Sequence, residues 1–212
     1  MDLREVVEFF KDAFKYIIVV VVVLLVFIFV VGLQQVVGPS MNPTLEGNTS
    51  ETEFTSDYGI IDKNNNAKHN LKRYQIVTTY YPGDSKDAAY KIKRVLAKPG
   101  ETFKIEDYQL YVYNYHTNNW GEPLEMPFDR AGIDDGRAEH KRHYKPTTLK
   151  DNEYFLAGDN WGASYDSFSV GPINFDLLVG VVVKIQGKCK VKDGKVIAKQ
   201  KTADRYFLGV NY

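Results

Sequence analysis

A single cysteine, Cys189, in 212 residues removes two classes of chemistry at once. No intrachain disulfide can form, and no cysteine-built zinc cluster is possible; the lone thiol is expected to serve in packing. Histidine is scarce too, with four in all. His69 and His116 lie in polar, Asn-rich segments, and His140 and His143 in the basic stretch H-K-R-H, so no Ser-His-Asp arrangement presents itself. Two imidazoles three positions apart lack the further ligands of a metal site, which makes that stretch a solvated basic loop and leaves no metal expected. Net charge is also missing, because 27 basic side chains offset 27 acidic ones. Without a basic surplus to meet a phosphate backbone, nucleic acid is not expected among the partners.

Charge is absent locally as well. Between Lys15 and Glu46 no charged residue occurs, and residues 16–33 are almost wholly apolar. A run of roughly eighteen such residues matches a hydrocarbon core about 30 Å thick. It exceeds the core of a cleaved secretory signal, and no small-x-small cleavage site follows it. The expectation is a cytoplasmic segment 1–15, a transmembrane helix over 16–35, and an extracytoplasmic domain over 36–212. Arg4, Lys11 and Lys15 precede the run and the next basic residue is Lys63, so the N-terminus is placed in the cytoplasm of a single-pass protein at the cell membrane, with lipid as a partner.

The rest of the chain is sufficient for one domain with its own core. Residues 46–70 are polar and read as loop, broken by a short strand at 58–61; Asn48-Thr49-Ser50 is formally a glycosylation acceptor. Residues 76–81, 89–97, 108–115 and 177–185 are rich in β-branched and aromatic side chains and are bounded by turn signals such as Pro82-Gly83-Asp84 and Pro99-Gly100-Glu101. Asp193-Gly194 joins 188–192 to 195–199 as a tight hairpin would. Residues 122–150 are polar and charged, as expected of an insertion or cap. The fold class is therefore mainly β: an antiparallel β domain behind a helix, with a smaller β-rich cap around 104–153.

Two residues suggest chemistry. Ser40 is bracketed by Gly38-Pro39 and Asn42-Pro43, which stiffen the backbone on both sides. It follows the apolar run by seven positions, which places a nucleophile close to a bilayer surface. Lys93, in A-Y-K-I-K-R-V-L, has the apolar neighbours Ile92, Val95 and Leu96. An amine confined among such groups is driven toward its neutral form and can accept a serine proton. An ordinary lysine is neutral about once in 2,500 at pH 7, so burial is the requirement. A third segment, Y-F-L-A-G-D-N-W-G-A-S-Y-D-S, supplies a dense polar cluster able to orient a buried amine.

Taken together, these segments resemble the bacterial type I signal peptidases, membrane-anchored serine proteases with a Ser-Lys pair. G-P-S-M-N-P-T-L resembles the family's nucleophile box, K-I-K-R-V-L-A-K-P-G-E its lysine box, and G-D-N-W-G-A-S-Y-D-S its C-terminal box; I-E-D-Y-Q-L-Y-V and G-E-P-L are similar to its linking region. The resemblance implies Ser40 as nucleophile and Lys93 as general base. It implies Ser164 as the residue orienting the lysine, Asp166 and Asp159 as supports, and the Ser40 N–H as an oxyanion donor, with Gly38 where some members carry a donating serine. It implies no cofactor, and substrates that are preproteins whose signal peptides end in small residues at −1 and −3.

The chain departs from the family in carrying Trp161 and Phe168 where arginine is common, and Arg73-Tyr74-Gln75 where R-G-D is usual. Asp166 thereby loses a charge partner, for which Arg94 is the candidate replacement. The competing expectation is a catalytically impaired relative serving as an assembly factor or chaperone for a surface structure. A self-cleaving repressor of the Ser-Lys type would need a DNA-binding segment that the sequence does not show. Oligomeric state is not legible.

Overall fold

The computed structural model describes residues 3–47, 52–85, 88–193 and 195–206. Asn48-Thr49-Ser50 and Gly194 of the expected hairpin turn lie outside the described residues. A long helix, α1 (Leu3–Val30), precedes β1 (Val31–Gln35), β2 (Glu53–Asp62), β3 (Ile76–Thr79), β4 (Lys91–Ala97), β5 (Thr102–Glu106), β6 (Gln109–Asn114) and β7 (Asn119–Trp120). There follow β8 (Tyr144–Thr148), β9 (Glu153–Ala157), β10 (Ile173–Asn174), β11 (Leu178–Lys192) and β12 (Lys195–Tyr206). The short helices α2 (Asn65–His69) and α3 (Ser167–Val170) sit between strands.

The larger sheet runs β1-β2-β11-β3-β4-β9-β10, with β12 paired to β11, and the smaller one runs β7-β6-β5-β8. Every strand pairing is antiparallel. The mainly β, antiparallel class expected from the sequence is the class observed.

The N-terminal part differs from expectation. The apolar run is shared between two elements: α1 ends at Val30, and β1 pairs with β2 from Val31 opposite Asp62 to Gln35 opposite Tyr58. The apolar helical part, residues 16–30, therefore extends about 22 Å at 1.5 Å per residue, against a hydrocarbon core of about 30 Å. No helix among the described residues is long and apolar enough to cross a membrane. The physical reason is competition for Val31 to Gln35, whose backbone groups are taken by the β2 ladder instead of extending the helix.

Three apolar clusters hold the sheets. One joins the small sheet to the large one through Phe103, Ile105, Leu110, Phe155 and Trp161. A second lies on β3, β4, β9 and β11 around Val77, Val95, Leu156 and Val181. The third gathers Val36, Met41 and Leu45 against Ile61, Ile76, Ile92 and Ile185. Each buried aliphatic or aromatic side chain contributes about 1.5–3 kcal/mol, so the segment around Ser40 is fastened by apolar residues on both sides of it. Cys189 is buried beside Ser56, as the packing expectation required.

Candidate active site

Ser40 lies in the turn that follows β1. The Asn42 N–H donates to the Pro39 carbonyl at 3.0 Å, and the Leu45 N–H to the Met41 carbonyl at 2.9 Å. Met41 and Leu45 are 1% and 0% exposed, which pins the turn while leaving the Ser40 side chain half-buried. From the other side the C-terminal box reaches in: the Asn160 N–H donates to the Ser40 carbonyl at 3.0 Å, and Asn160 Nδ2 to the Pro39 carbonyl at 3.2 Å. Gly38 has a φ of 82°, a left-handed conformation that glycine adopts without steric cost. The Ser40 N–H donates to no group among the described residues.

Lys93 stands on β4, flanked by β3 and β9, with Val77 opposite it. Strand alternation sends Lys93 and Val95 to one face, and Ile92 and Arg94 to the other. The Lys93 side chain is 4% exposed. Its Nζ lies 2.8 Å from Ser40 Oγ and donates to the Ile92 carbonyl at 2.9 Å. Burial pushes the amine down to about 8; Asp166 and Asp159 oppose that, while Lys141 and Lys91 reinforce it.

The supporting residues are arranged differently from the family resemblance. Ser164 is close to the dyad but its Oγ has no hydrogen-bond partner. The expected bond from Ser164 to the lysine amine is not made; the Ile92 carbonyl takes that place. Gly158 separates the two serines: a Cβ there would come within 2.3 Å of both Ser164 Oγ and the Ser40 carbonyl oxygen. Arg94 does not pair with Asp166. Its Nε and Nη2 grip the two oxygens of Asp159 at 2.8 and 2.5 Å, while Nη1 donates to the Tyr74 carbonyl at 2.7 Å.

Asp166 takes its cation from Lys141, at 2.7 Å, and also accepts the N–H groups of Gly158 at 3.0 Å and Phe168 at 3.2 Å. Lys141 belongs to H-K-R-H, read from the sequence as a solvated loop. His140 and His143 are exposed as that reading requires, but Lys141 is 0% exposed. No sequence periodicity marked it; the only signal was an acidic cluster short of one cation. No group of three or more metal-ligating side chains occurs among the described residues.

Two of the departures merge into one feature. The rings of Trp161 and Phe168 meet at 5.2 Å in an edge-to-face contact, so the space that arginines would cross is filled by an aromatic pair. At the third, Tyr74 takes a φ of 69°, supplying the left-handed turn that glycine would adopt more cheaply.

A family model described as signal peptidase, peptidase S26, matches residues 7–186. Signal peptidase I V of Bacillus subtilis (strain 168) is 31% identical over 156 residues, covering 70% of this chain and 81% of that protein. Signal peptidase I S of the same organism is 30% identical over 81 residues, 38% of this chain and 42% of that protein. A crystal structure of a signal peptidase I from Enterococcus faecalis V583 aligns with a TM-score of 0.36 at 24% identity, over 53% of this chain and 97% of that one, a likeness too slight to bear on the fold. With the family match running from α1 into β11, the chain belongs to the signal peptidase family, peptidase S26, as a type I signal peptidase and serine endopeptidase.

Proposed function

We propose that the protein removes N-terminal signal peptides from exported preproteins with Ser40 as nucleophile and Lys93 as general base. The observation that carries this reading is the 2.8 Å separation of Lys93 Nζ and Ser40 Oγ at an amine 4% exposed to solvent. In its neutral form Lys93 takes the Ser40 proton as Oγ attacks the scissile carbonyl. The resulting ammonium returns that proton to the amine of the departing mature chain, leaving an acyl-enzyme. Lys93, neutral again, takes a proton from water, and the hydroxide so formed releases the signal peptide as its carboxylate. The Ser40 N–H stabilises the oxyanion, beside the flexible backbone of Gly38. Ser164, Asp159, Asp166 and Arg94 support the pair, and no cofactor enters the chemistry.

Anchoring to the cell membrane belongs to the same proposal, with the exposed apolar surface of α1 seated in lipid as the anchor; a cytoplasmic N-terminus and an outside β domain then require the bilayer to thin around its short apolar length. The side chains of Tyr16 and Ile17 through Leu25 are 46–74% exposed, an apolar surface that water does not favour and lipid does. Substrates bind extended, with small side chains at −1 and −3 read by alternate pockets, and the second sheet acts as the cap. Against an impaired assembly factor stands the charge arrangement: Asp159 and Asp166, the two buried carboxylates of the C-terminal box, each have a cation within hydrogen-bond distance despite Trp161 and Phe168.

The test is cleavage of a preprotein by the purified full-length chain. Ser40→Ala and Lys93→Ala are expected to lose processing by at least about 10³-fold while retaining their β-sheet spectrum; processing that persists in either refutes the dyad. Alkaline carbonate extraction of membranes, with protease accessibility of the β domain, tests the anchor, which is refuted if the chain leaves the membrane fraction.

A further inference from the structure

We infer that Lys141 is a positioning residue for the dyad, neutralising Asp166 so that Asp166 cannot hold Lys93 as an ammonium, and fixing the backbone of Ser164 beside it. This rests on the reading of Lys93 as the base. Lys141 ends a short turn, Glu139–Lys141, whose preceding residue Ala138 is fully buried. Its Nζ donates to Asp166 Oδ2 at 2.7 Å and to the Ser164 carbonyl at 2.8 Å, and it lies 5.1 Å from the Phe168 ring centroid. Both members of the ion pair are 0% exposed. A buried pair of this kind is poor evidence for stability, since desolvation offsets most of the attraction. Its effect on a neighbouring amine is not offset in that way, because little solvent is present to screen it.

The charged groups acting on Lys93 are Asp166 and Asp159, which favour its ammonium form, and Lys141 and Lys91, which disfavour it. Asp159 is already matched by Arg94. Asp166 is therefore the carboxylate able to trap the base in its charged form, and Lys141 is the cation that cancels it. Tyr81, which also senses Asp166, is held by burial far above its usual range and stays neutral, with its hydroxyl donated to the Tyr165 carbonyl. On the turn itself Glu139, His140 and Arg142 are directed outward, Arg142 pairing with Asp107. The arginine expected after D-S is replaced by Phe168, and its charge arrives from a different segment of the chain, through the face of that same phenylalanine ring.

The loss of Lys141 would leave Asp166 still held in place by the Gly158 and Phe168 N–H groups, with no cation matched to it. Lys93 would then bind its proton more tightly. The experiment is the pH dependence of kcat/KM for a preprotein peptide with the full-length chain in detergent, for wild type, Lys141→Gln, Lys141→Met, Lys141→Arg and Lys141→Met/Asp166→Asn. Lys141→Gln removes the charge while keeping a hydrogen-bond donor in the same place, so it reads the electrostatic effect even if Lys141→Met does not fold.

The wild type is expected to show an acid limb near pH 8. In the Gln and Met variants that limb moves up by about one pH unit, with kcat/KM about tenfold lower at pH 7 and largely recovered on the alkaline plateau. Lys141→Arg keeps the wild-type limb, and the double variant brings it back down. An unmoved limb with a uniformly lowered plateau in the Gln variant overturns the inference and leaves Lys93 as base. A wild type with no acid limb at all overturns the reading of Lys93 first, and this inference with it.

Discussion

Arg94 and Asp159 form a two-point clasp in a place almost closed to water: Nε meets Oδ1 at 2.8 Å and Nη2 meets Oδ2 at 2.5 Å, between side chains 2% and 0% exposed. The clasp spans β4 and the segment after β9, one residue from the proposed base on one side and one from Gly158 on the other. The Arg94 guanidinium also lies over Phe128, 4.2 Å from its ring centroid, which fixes its plane. Removing one partner strands a charge in the interior. Asp159→Ala is expected to cost about 3–5 kcal/mol of unfolding free energy, and Arg94→Lys a large part of that, because an ammonium cannot reproduce the planar fork. Denaturant titration of both variants is the measurement; a change within about 0.5 kcal/mol for Asp159→Ala would count against a structural role for the pair.

Gly158 offers a steric test. The methyl of Gly158→Ala would meet Ser164 Oγ and the Ser40 carbonyl at 2.3 Å, and the second of these is backbone that cannot swing aside. The turn that carries the proposed nucleophile must shift, and a displacement of about 1 Å costs on the order of 10² in rate. The expected result is a folded protein with KM little changed and kcat reduced by about that factor, read from processing kinetics beside a circular dichroism spectrum.

Stability should depend on pH through Lys93. Its folded value, about 8, lies below the ordinary lysine value of 10.5, so between those two values the unfolded chain binds the extra proton. Stability therefore rises with pH across that window. Below pH 8 both states are protonated and the full penalty of the buried ammonium is present, roughly 3 kcal/mol. Lys93→Met removes the charge at similar volume. It is expected to be more stable than wild type at pH 7, with an advantage that shrinks as pH climbs through 8 and vanishes above about 10.5. Urea midpoints of both proteins at several pH values check this, and a constant difference would contradict it.

Truncation separates helix from sheet. A chain starting at Val31 keeps β1 and its ladder on β2, whereas one starting at Val36 exposes the β2 edge. The first is expected to melt within a few degrees of the full-length protein, and the second lower, by about 2–4 °C per kcal/mol lost for a domain of this size. Equal melting of the two would mean that β1 adds nothing to the fold.

The β class was legible because alternating β-branched and aromatic residues at 76–81 and 89–97 report a pleated surface directly. Ser40 and Lys93, whose side chains the fold brings to 2.8 Å, could be singled out because their boxes are local in sequence. What escaped notice was set by partners distant in the chain. Residues 46–70 read as loop around one short strand, yet β2 extends over Glu53–Asp62 because β1 and β11 pair with it on either side. Residues 65–69 formed α2 through a local Asn64 side-chain cap, a signal hidden in a polar run. Residues 177–185 and 188–192 proved to be one strand, β11. Lys141 looked like any surface lysine, since only the fold reveals that Asp166 is waiting beneath it. The end of α1 was misjudged because hydropathy cannot tell a helix from a strand once Val31 has somewhere else to hydrogen-bond.

Ser40, Lys93 and Gly158 belong to stretches that the ribosome delivers far apart in time, and β9 must zip onto β4 before they meet. The proposed pair further depends on β11, the late strand that joins β2 to β3 and so ties the Ser40 side of the sheet to the Lys93 side.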